Sequence, residues 1–211
     1  MIITELEKSS IYMSFYQRNL PHWQPGGVSI FLTWRLYGSL PATPKSTARS
    51  GCATDTSQTK ITAGRAFKLY DADLDKAKSG PLWLKDPRIA SCVVDTILRG
   101  QNVLGQYTLH SFVVMPNHVH LLITPSILLR RITNGLKGVT ARESNRILGR
   151  QGKHFWQDES FDHWVRTPAE FNRIRSYIEG NPVSAGLASK PEDWPWSSAA
   201  SRPSLPSGAF L

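Results

Sequence analysis

His118 and His120 stand one residue apart within Val113-Val114-Met115-Pro116-Asn117-His118-Val119-His120-Leu121-Leu122-Ile123. In a strand, alternate side chains share a face. The two imidazoles therefore point one way, and Val119, Leu121 and Ile123 point the other, toward a core. Neutral imidazole is the commonest nitrogen ligand of a divalent metal. Two strand-edge histidines, one solvated and one hydrogen-bonded, would show the same spacing, so the pattern alone leaves both readings open. A second stretch, Tyr177-Ile178-Glu179-Gly180-Asn181-Pro182-Val183, bears on the choice. Asn181 follows Tyr177 by one helical turn, so both project from one helix face. If that helix packs beside the histidine strand, Asn181 supplies the oxygen that a hard ion such as Mg²⁺ or Mn²⁺ wants. Tyr177 would then stand beside a cation, which favours the phenolate of a group with an ordinary pKa of ~10. A phosphodiester held there is open to in-line attack, giving a phosphotyrosine bond. A half-buried helix tyrosine with no chemical role has the same local signature.

The elements that must position these groups are legible in outline. Val28 to Tyr37 is β-branched and aromatic and lies between glycine-rich breaks, which predicts a strand. Asp86-Pro87 starts a helix, with Asp at the N-cap and Pro in the first turn, and Gly100 is its expected stop. Tyr107 to Met115 and His118 to Thr124 are predicted strands, and Pro116-Asn117 is too short for a crossover, so they form an antiparallel hairpin. A basic helix is expected over residues 126–148. Short β-like pieces follow at His154-Phe155-Trp156-Gln157 and Phe161 to Arg166. Thr167-Pro168-Ala169-Glu170 announces, through a capping box, another helix, which should end near Gly180-Asn181-Pro182 with a further turn to Gly186. This order predicts an α+β, ferredoxin-like domain with an antiparallel sheet and helices on one face. Residues 1–27 read as an irregular lead-in, 28–200 as the domain, 41–62 as a flexible insertion and 201–211 as a disordered tail. Within a helix expected at 63–78, Asp71, Asp73 and Asp75 resemble the start of a calcium loop. The following Gly and closing Glu are missing, so they read as a solvated helix face.

The chain has 25 Lys and Arg against 16 Asp and Glu, a net charge of +9 over 211 residues. Such a balance points to a polyanion, nucleic acid before anionic membrane. No apolar run approaches the ~20 residues of a membrane span, and no secretory pattern opens the chain, so a cytoplasmic protein without a membrane partner is expected. Two cysteines with no C-x-x-C suggest neither a disulfide framework nor a cysteine zinc site. No glycine-rich phosphate loop precedes a helix, which argues against a nucleotide cofactor. Aromatic rings beside cations suit single-stranded nucleic acid. The candidates for DNA contact are Arg18, Trp34, Arg35, Arg130, Arg131, Lys137, Arg142 and Arg166, although tryptophans in any fold are commonly core.

Five ordered motifs carry a more specific signal: Met115-Pro116-Asn117-His118-Val119-His120-Leu121-Leu122, Phe155-Trp156-Gln157, His163-Trp164-Val165-Arg166, Tyr177-Ile178-x-x-Asn181-Pro182-Val183-x-Ala185-Gly186-Leu187, and Trp194-Pro195-Trp196-Ser197-Ser198. Over roughly residues 16–200 the chain resembles the REP-associated tyrosine transposases, relatives of the single-tyrosine HUH transposases of IS200-like insertion sequences. The resemblance implies the ferredoxin-like HUH nuclease fold and metal-dependent nicking and rejoining of single-stranded DNA near hairpins. It implies His118, His120 and Asn181 as ligands of Mg²⁺ or Mn²⁺, and Tyr177 as the nucleophile that keeps a 5′-phosphotyrosine. A bacterial, nucleoid-associated protein acting as monomer or homodimer would follow. A hairpin nucleic-acid-binding module without catalysis is the alternative, and a hydrolase that uses water in place of Tyr177 is a third.

Overall fold

A computed structural model describes residues 27–40, 71, 73–75 and 80–200. The expectations for residues 1–26, 41–62 and 201–211 lie outside these. Four strands form one sheet: β1 (Ile30–Arg35), β2 (Tyr107–Val114), β3 (His118–Pro125) and β4 (Phe161–Trp164). Their spatial order is β2-β3-β1-β4, and every neighbouring pair is antiparallel. Helices α1 (Pro87–Asn102), α2 (Leu129–Ile147) and α3 (Pro168–Ser184) connect or follow them. This is the α+β, ferredoxin-like arrangement expected from the order of elements.

Alternation along the strands divides the core in two. Ile30, Leu32, Trp34, Val119, Leu121 and Ile123 face α1 and α2, which contribute Ile89, Val93, Ile97, Ile132 and Leu136. Phe31, Val113, Met115 and Leu122 face the other way and meet Ile178 of α3, with Phe171, Ile174 and Tyr177 packed around them. The expectation of helices on one face is therefore corrected. Two helices cover one face, and α3 lies across the other. That second face is the one whose strand positions carry the two histidines.

Local signals account for the helix starts. Asp86 accepts the Arg88 N–H at 2.9 Å, with Pro87 in the first turn. Thr167 Oγ1 accepts the Glu170 N–H at 3.1 Å. The Glu170 carboxylate bonds the Arg166 N–H at 2.8 Å, one residue before the expected reciprocal partner. α1 continues through Gly100 to Asn102. Gly100 is needed for space: a Cβ there would collide with the Tyr107 hydroxyl, which donates to the Ile97 carbonyl at 2.7 Å. α3 runs on to Ser184, into the further turn expected toward Gly186, with Pro182 inside its last turn. That extension keeps Asn181 helical, one turn beyond Tyr177. Among the described residues, no helix is long and apolar enough to cross a membrane.

Candidate active site

His118 opens β3 opposite Arg35 of β1, and His120 lies opposite Thr33. Both imidazoles are fully buried. Neighbours fix their orientation. The Asn117 amide donates through Nδ2 to the Leu74 carbonyl at 2.9 Å. Its Oδ1 therefore faces His118 Nδ1, 2.7 Å away. An amide oxygen can only accept, so the His118 proton sits on Nδ1 and the Nε2 lone pair points inward. His120 Nδ1 is held by Thr33 Oγ1 at 2.7 Å. The two Nε2 atoms approach to 3.1 Å. Burial, with the second imidazole beside it, pushes the His118 pKa down to about 3. This ring is neutral in ordinary buffers, as a ligand must be.

Two carboxylate oxygens and the Asn181 amide converge on the imidazole pair. Asp71 Oδ1 lies 3.2 Å from His120 Nε2 and 3.8 Å from His118 Nε2. Asp75 Oδ1 lies 3.7 Å from His118 Nε2. Asn181 is 1% exposed, and its Nδ2 is 3.5 Å from both His120 Nε2 and Asp71 Oδ2. The Oδ1 atoms of Asp71, Asp75 and Asn181 are all buried without a hydrogen-bond partner. Each such atom costs about 1–3 kcal/mol, more where it carries charge. The two carboxylate oxygens beside the imidazole nitrogens are offset most simply by a cation. Asp71, His118 and His120 offer ligand atoms that all lie within 4.8 Å of one another. One carboxylate with two imidazoles, and an amide at hand, is a mixed nitrogen and oxygen set suited to a divalent ion.

The carboxylates respond differently to this setting. Burial pushes Asp71 upward, but the two imidazoles and the Asn181 amide outweigh it and hold the group below its usual range. Burial and then the Asp71 charge push Asp75 up to about 7. The solvated-face reading of these residues is thus overturned. Asp71 is 1% exposed, and both it and Asp75 turn toward the histidines. A signal was available in their i, i+4 spacing, which places two carboxylates on one helix face.

Tyr177 completes the cluster. Its ring centroid lies 5.7 Å from that of His120 and 6.3 Å from Phe31, edge-on to the latter. The ring is half-buried among Phe31, Ile178 and their neighbours. His118, His120, Tyr177 and Asn181, separated by up to 63 positions, are thus brought together.

The residues considered for DNA contact do not gather in this way. Trp34 is corrected to a core residue: it is 4% exposed, on the α1–α2 side, edge-on to Trp156 at 6.2 Å. Its strand neighbour Arg35 falls on the histidine face and bonds Ser39 Oγ at 3.3 Å. Arg130, Arg131 and Arg142 are exposed on α2, the layer behind the sheet from the imidazoles. Lys137 is pinned instead, with Nζ donating to the carbonyls of Gln157 at 2.6 Å and Asp158 at 2.8 Å. Arg166 is exposed at the entry to α3. Arg18 lies outside the described residues.

Comparison with known proteins fits this geometry. Residues 92–181, from α1 through Asn181, match the family model described as transposase IS200 like. A solved structure of a REP-associated tyrosine transposase bound to a REP hairpin shares the fold, with a TM-score of 0.51 and 16% identity. That similarity covers 86% of this chain and 82% of the other. A crystal structure of a putative transposase from Deinococcus radiodurans R1 matches at TM-score 0.37 and 17% identity, over 75% of this chain and 97% of that one. No curated protein matches. The chain therefore resembles the IS200-like transposases in sequence across its central region, and a REP-associated tyrosine transposase in fold, as the ordered motifs indicated.

Proposed function

We propose that this protein is a divalent-metal-dependent single-stranded DNA endonuclease and strand transferase that acts at hairpin DNA through a 5′-phosphotyrosine. The observation that carries the reading is the meeting of Tyr177 and Asn181, one turn apart on α3, with the paired imidazoles of β3. His118 and His120 through Nε2, Asp71 through Oδ1 and Asn181 through its amide oxygen would hold Mg²⁺ or Mn²⁺. Asp71 joins the three ligands expected from sequence. When bound, the ion supplies Lewis acidity at a non-bridging phosphate oxygen.

The chain's own groups do the rest. Asn117 and Thr33 fix the imidazole orientations, which is how outer partners tune a metal site. Phe31 and the α3 contacts seat the Tyr177 ring beside His120. Tyr177 Oη attacks phosphorus and the P–O3′ bond breaks. In net terms the phenol proton passes to the departing 3′ oxygen. The products are a 5′-phosphotyrosine and a free 3′-hydroxyl, so the phosphodiester energy is kept for rejoining. The net charge of +9 suits a polyanionic strand. The structural relative bound to a REP hairpin makes a hairpin the first substrate to try.

The test mixes labelled hairpin-bearing single strands with protein and Mg²⁺ or Mn²⁺, then separates them on a denaturing gel. A protein-linked band is expected that vanishes with chelator and in Tyr177→Phe. Cleavage without a linked band, surviving in Tyr177→Phe, would establish a hydrolase. Retention on native gels without any cleavage would establish a binding module.

A further inference from the structure

A cavity of about 260 Å³ opens beside His118, on the flank of the imidazole pair away from Tyr177. Its walls mix apolar and polar surface, the apolar part formed chiefly by Leu74, Leu82, Met115, Ala185 and Leu187. Asp75 and Lys85 are the charged groups that line it. His118 belongs to both the wall and the metal cluster, and so does Asp75. A drug-sized ligand usually takes ~300–1,000 Å³, so this space suits a smaller, flat group. Apolar side chains against the rings, with polar groups along the edge, are how proteins seat an unstacked nucleobase.

We propose that this cavity receives the base of the nucleotide immediately 5′ of the scissile phosphate, and so selects the position of the cut. The inference rests on the proposed strand-transfer reading and adds the direction of the DNA across the site. In-line displacement places attacking and leaving oxygens on opposite sides of phosphorus. Tyr177 attacks from the His120 flank. The leaving 3′ oxygen therefore departs on the His118 flank, and it carries with it the nucleoside on its 5′ side. The cavity is where that nucleoside arrives. Its carboxyl and ammonium suit a base edge that offers both an amino donor and a carbonyl acceptor. Guanine and cytosine have both groups, whereas adenine has no carbonyl.

The experiment uses full-length Tyr177→Phe, which binds without cutting, and a pool of hairpin-bearing single strands with randomised flanks. Bound strands are sequenced, and the cut position on recovered strands is mapped with the unaltered protein. One flank position, immediately 5′ of the cut, is expected to favour guanine or cytosine at least 10-fold over adenine. Filling the cavity with Ala185→Phe or, separately, Leu187→Trp in the same background should abolish that preference and leave hairpin retention intact. Two cavity-filling variants guard against one that fails to fold. A preference that survives both, lies 3′ of the cut or is absent while hairpins are still bound and cut overturns the cavity proposal alone. If no hairpin is bound at all, the strand-transfer reading falls and the cavity proposal falls with it.

Discussion

Asp71→Asn isolates the buried carboxylate that most sharply distinguishes a metal centre from a pair of core histidines. Asparagine keeps the volume and removes the negative charge next to His120 Nε2, 3.2 Å away. A ligand that binds only the folded state stabilises it by RT ln(1 + [L]/Kd). With Mn²⁺ at 100 times the Kd of the unaltered protein, the gain is about 2.7 kcal/mol. Loss of even an outer-shell partner commonly weakens metal binding 10- to 100-fold, and an anionic ligand should reach at least the upper end. A 100-fold weaker Kd leaves about 0.4 kcal/mol of stabilisation at the same Mn²⁺ concentration. For a chain of this size each kcal/mol moves Tm by roughly 2–4 °C. The unaltered protein should therefore gain about 5–11 °C on adding Mn²⁺, and Asp71→Asn only about 1–2 °C. Thermal unfolding monitored by near-UV circular dichroism, with and without chelator, reads both. Titration calorimetry gives the Kd values directly. An Asp71→Asn protein that keeps the full Mn²⁺ shift and an unchanged Kd would refute the assignment of Asp71 to the ion, and leave its burial beside two histidines as a structural ion pair.

Other substitutions test separate parts of the architecture. Asn181→Ala should also reduce the Mn²⁺-induced Tm shift and the yield of protein-linked DNA, without altering retention of hairpins in chelator on native gels. Gly100→Ala forces a Cβ against the Tyr107 hydroxyl; overpacking of this kind costs about 1–3 kcal/mol, which denaturant unfolding should show as a lower midpoint at unchanged slope. Lys137→Met removes the bonds to two loop carbonyls and should lower stability by about 1–3 kcal/mol. Because Lys137 serves as a strap, the salt dependence of DNA binding should stay as it was, whereas loss of a phosphate contact would flatten the log–log slope by ~1. The Arg166 N–H, followed by His163, holds the Glu170 carboxyl below its usual range. A lowered carboxylate pKa contributes stability that is complete above the unfolded value of about 4.3 and fades as pH falls through the folded value. The Tm gap between the unaltered protein and Glu170→Gln should thus be constant above about pH 5 and close on acidification.

Particular residues show what was legible in the sequence and what was not. Asp86-Pro87 and Thr167-Pro168-Glu170 announced two helix starts because capping is local, and both caps form. The hairpin around Pro116-Asn117 was legible for the same reason, since two residues cannot span a crossover. Helix ends were less legible. Gly100 looks like a stop, yet it is set by the Tyr107 ring packed against it, and the turn past Pro182 toward Gly186 joins a helix held by the Phe31 and Leu122 side of the sheet. Tertiary contact decided both. Trp34 was separable from Arg35 by alternation alone. Once His120 is paired with Thr33, every second residue of β1 shares the histidine face, and Trp34 falls on the other. Asp71 was hidden for a different reason. It lies 47 positions before His118, in a run of aspartates that looks like any solvated helix face, and only the folded chain reveals that its carboxylate has lost water.

The two faces of the sheet are built unequally, and that asymmetry explains how a polar cluster survives inside. The α1–α2 side joins about twenty buried side chains in one core, and so carries most of the apolar burial that stabilises a fold of this kind. Among the described residues the α3 side buries six, Phe31, Leu122 and Ile178 among them. That side also holds His118, His120, Asp71 and Asn181, at an energetic cost the first core can bear. Tyr177 is half-buried on the same side, its ring edge-on to Phe31. A larger apolar layer under α3 would stabilise the domain further. It would also close the space in which the proposed strand transfer brings a phosphate to the phenol and the imidazole pair together.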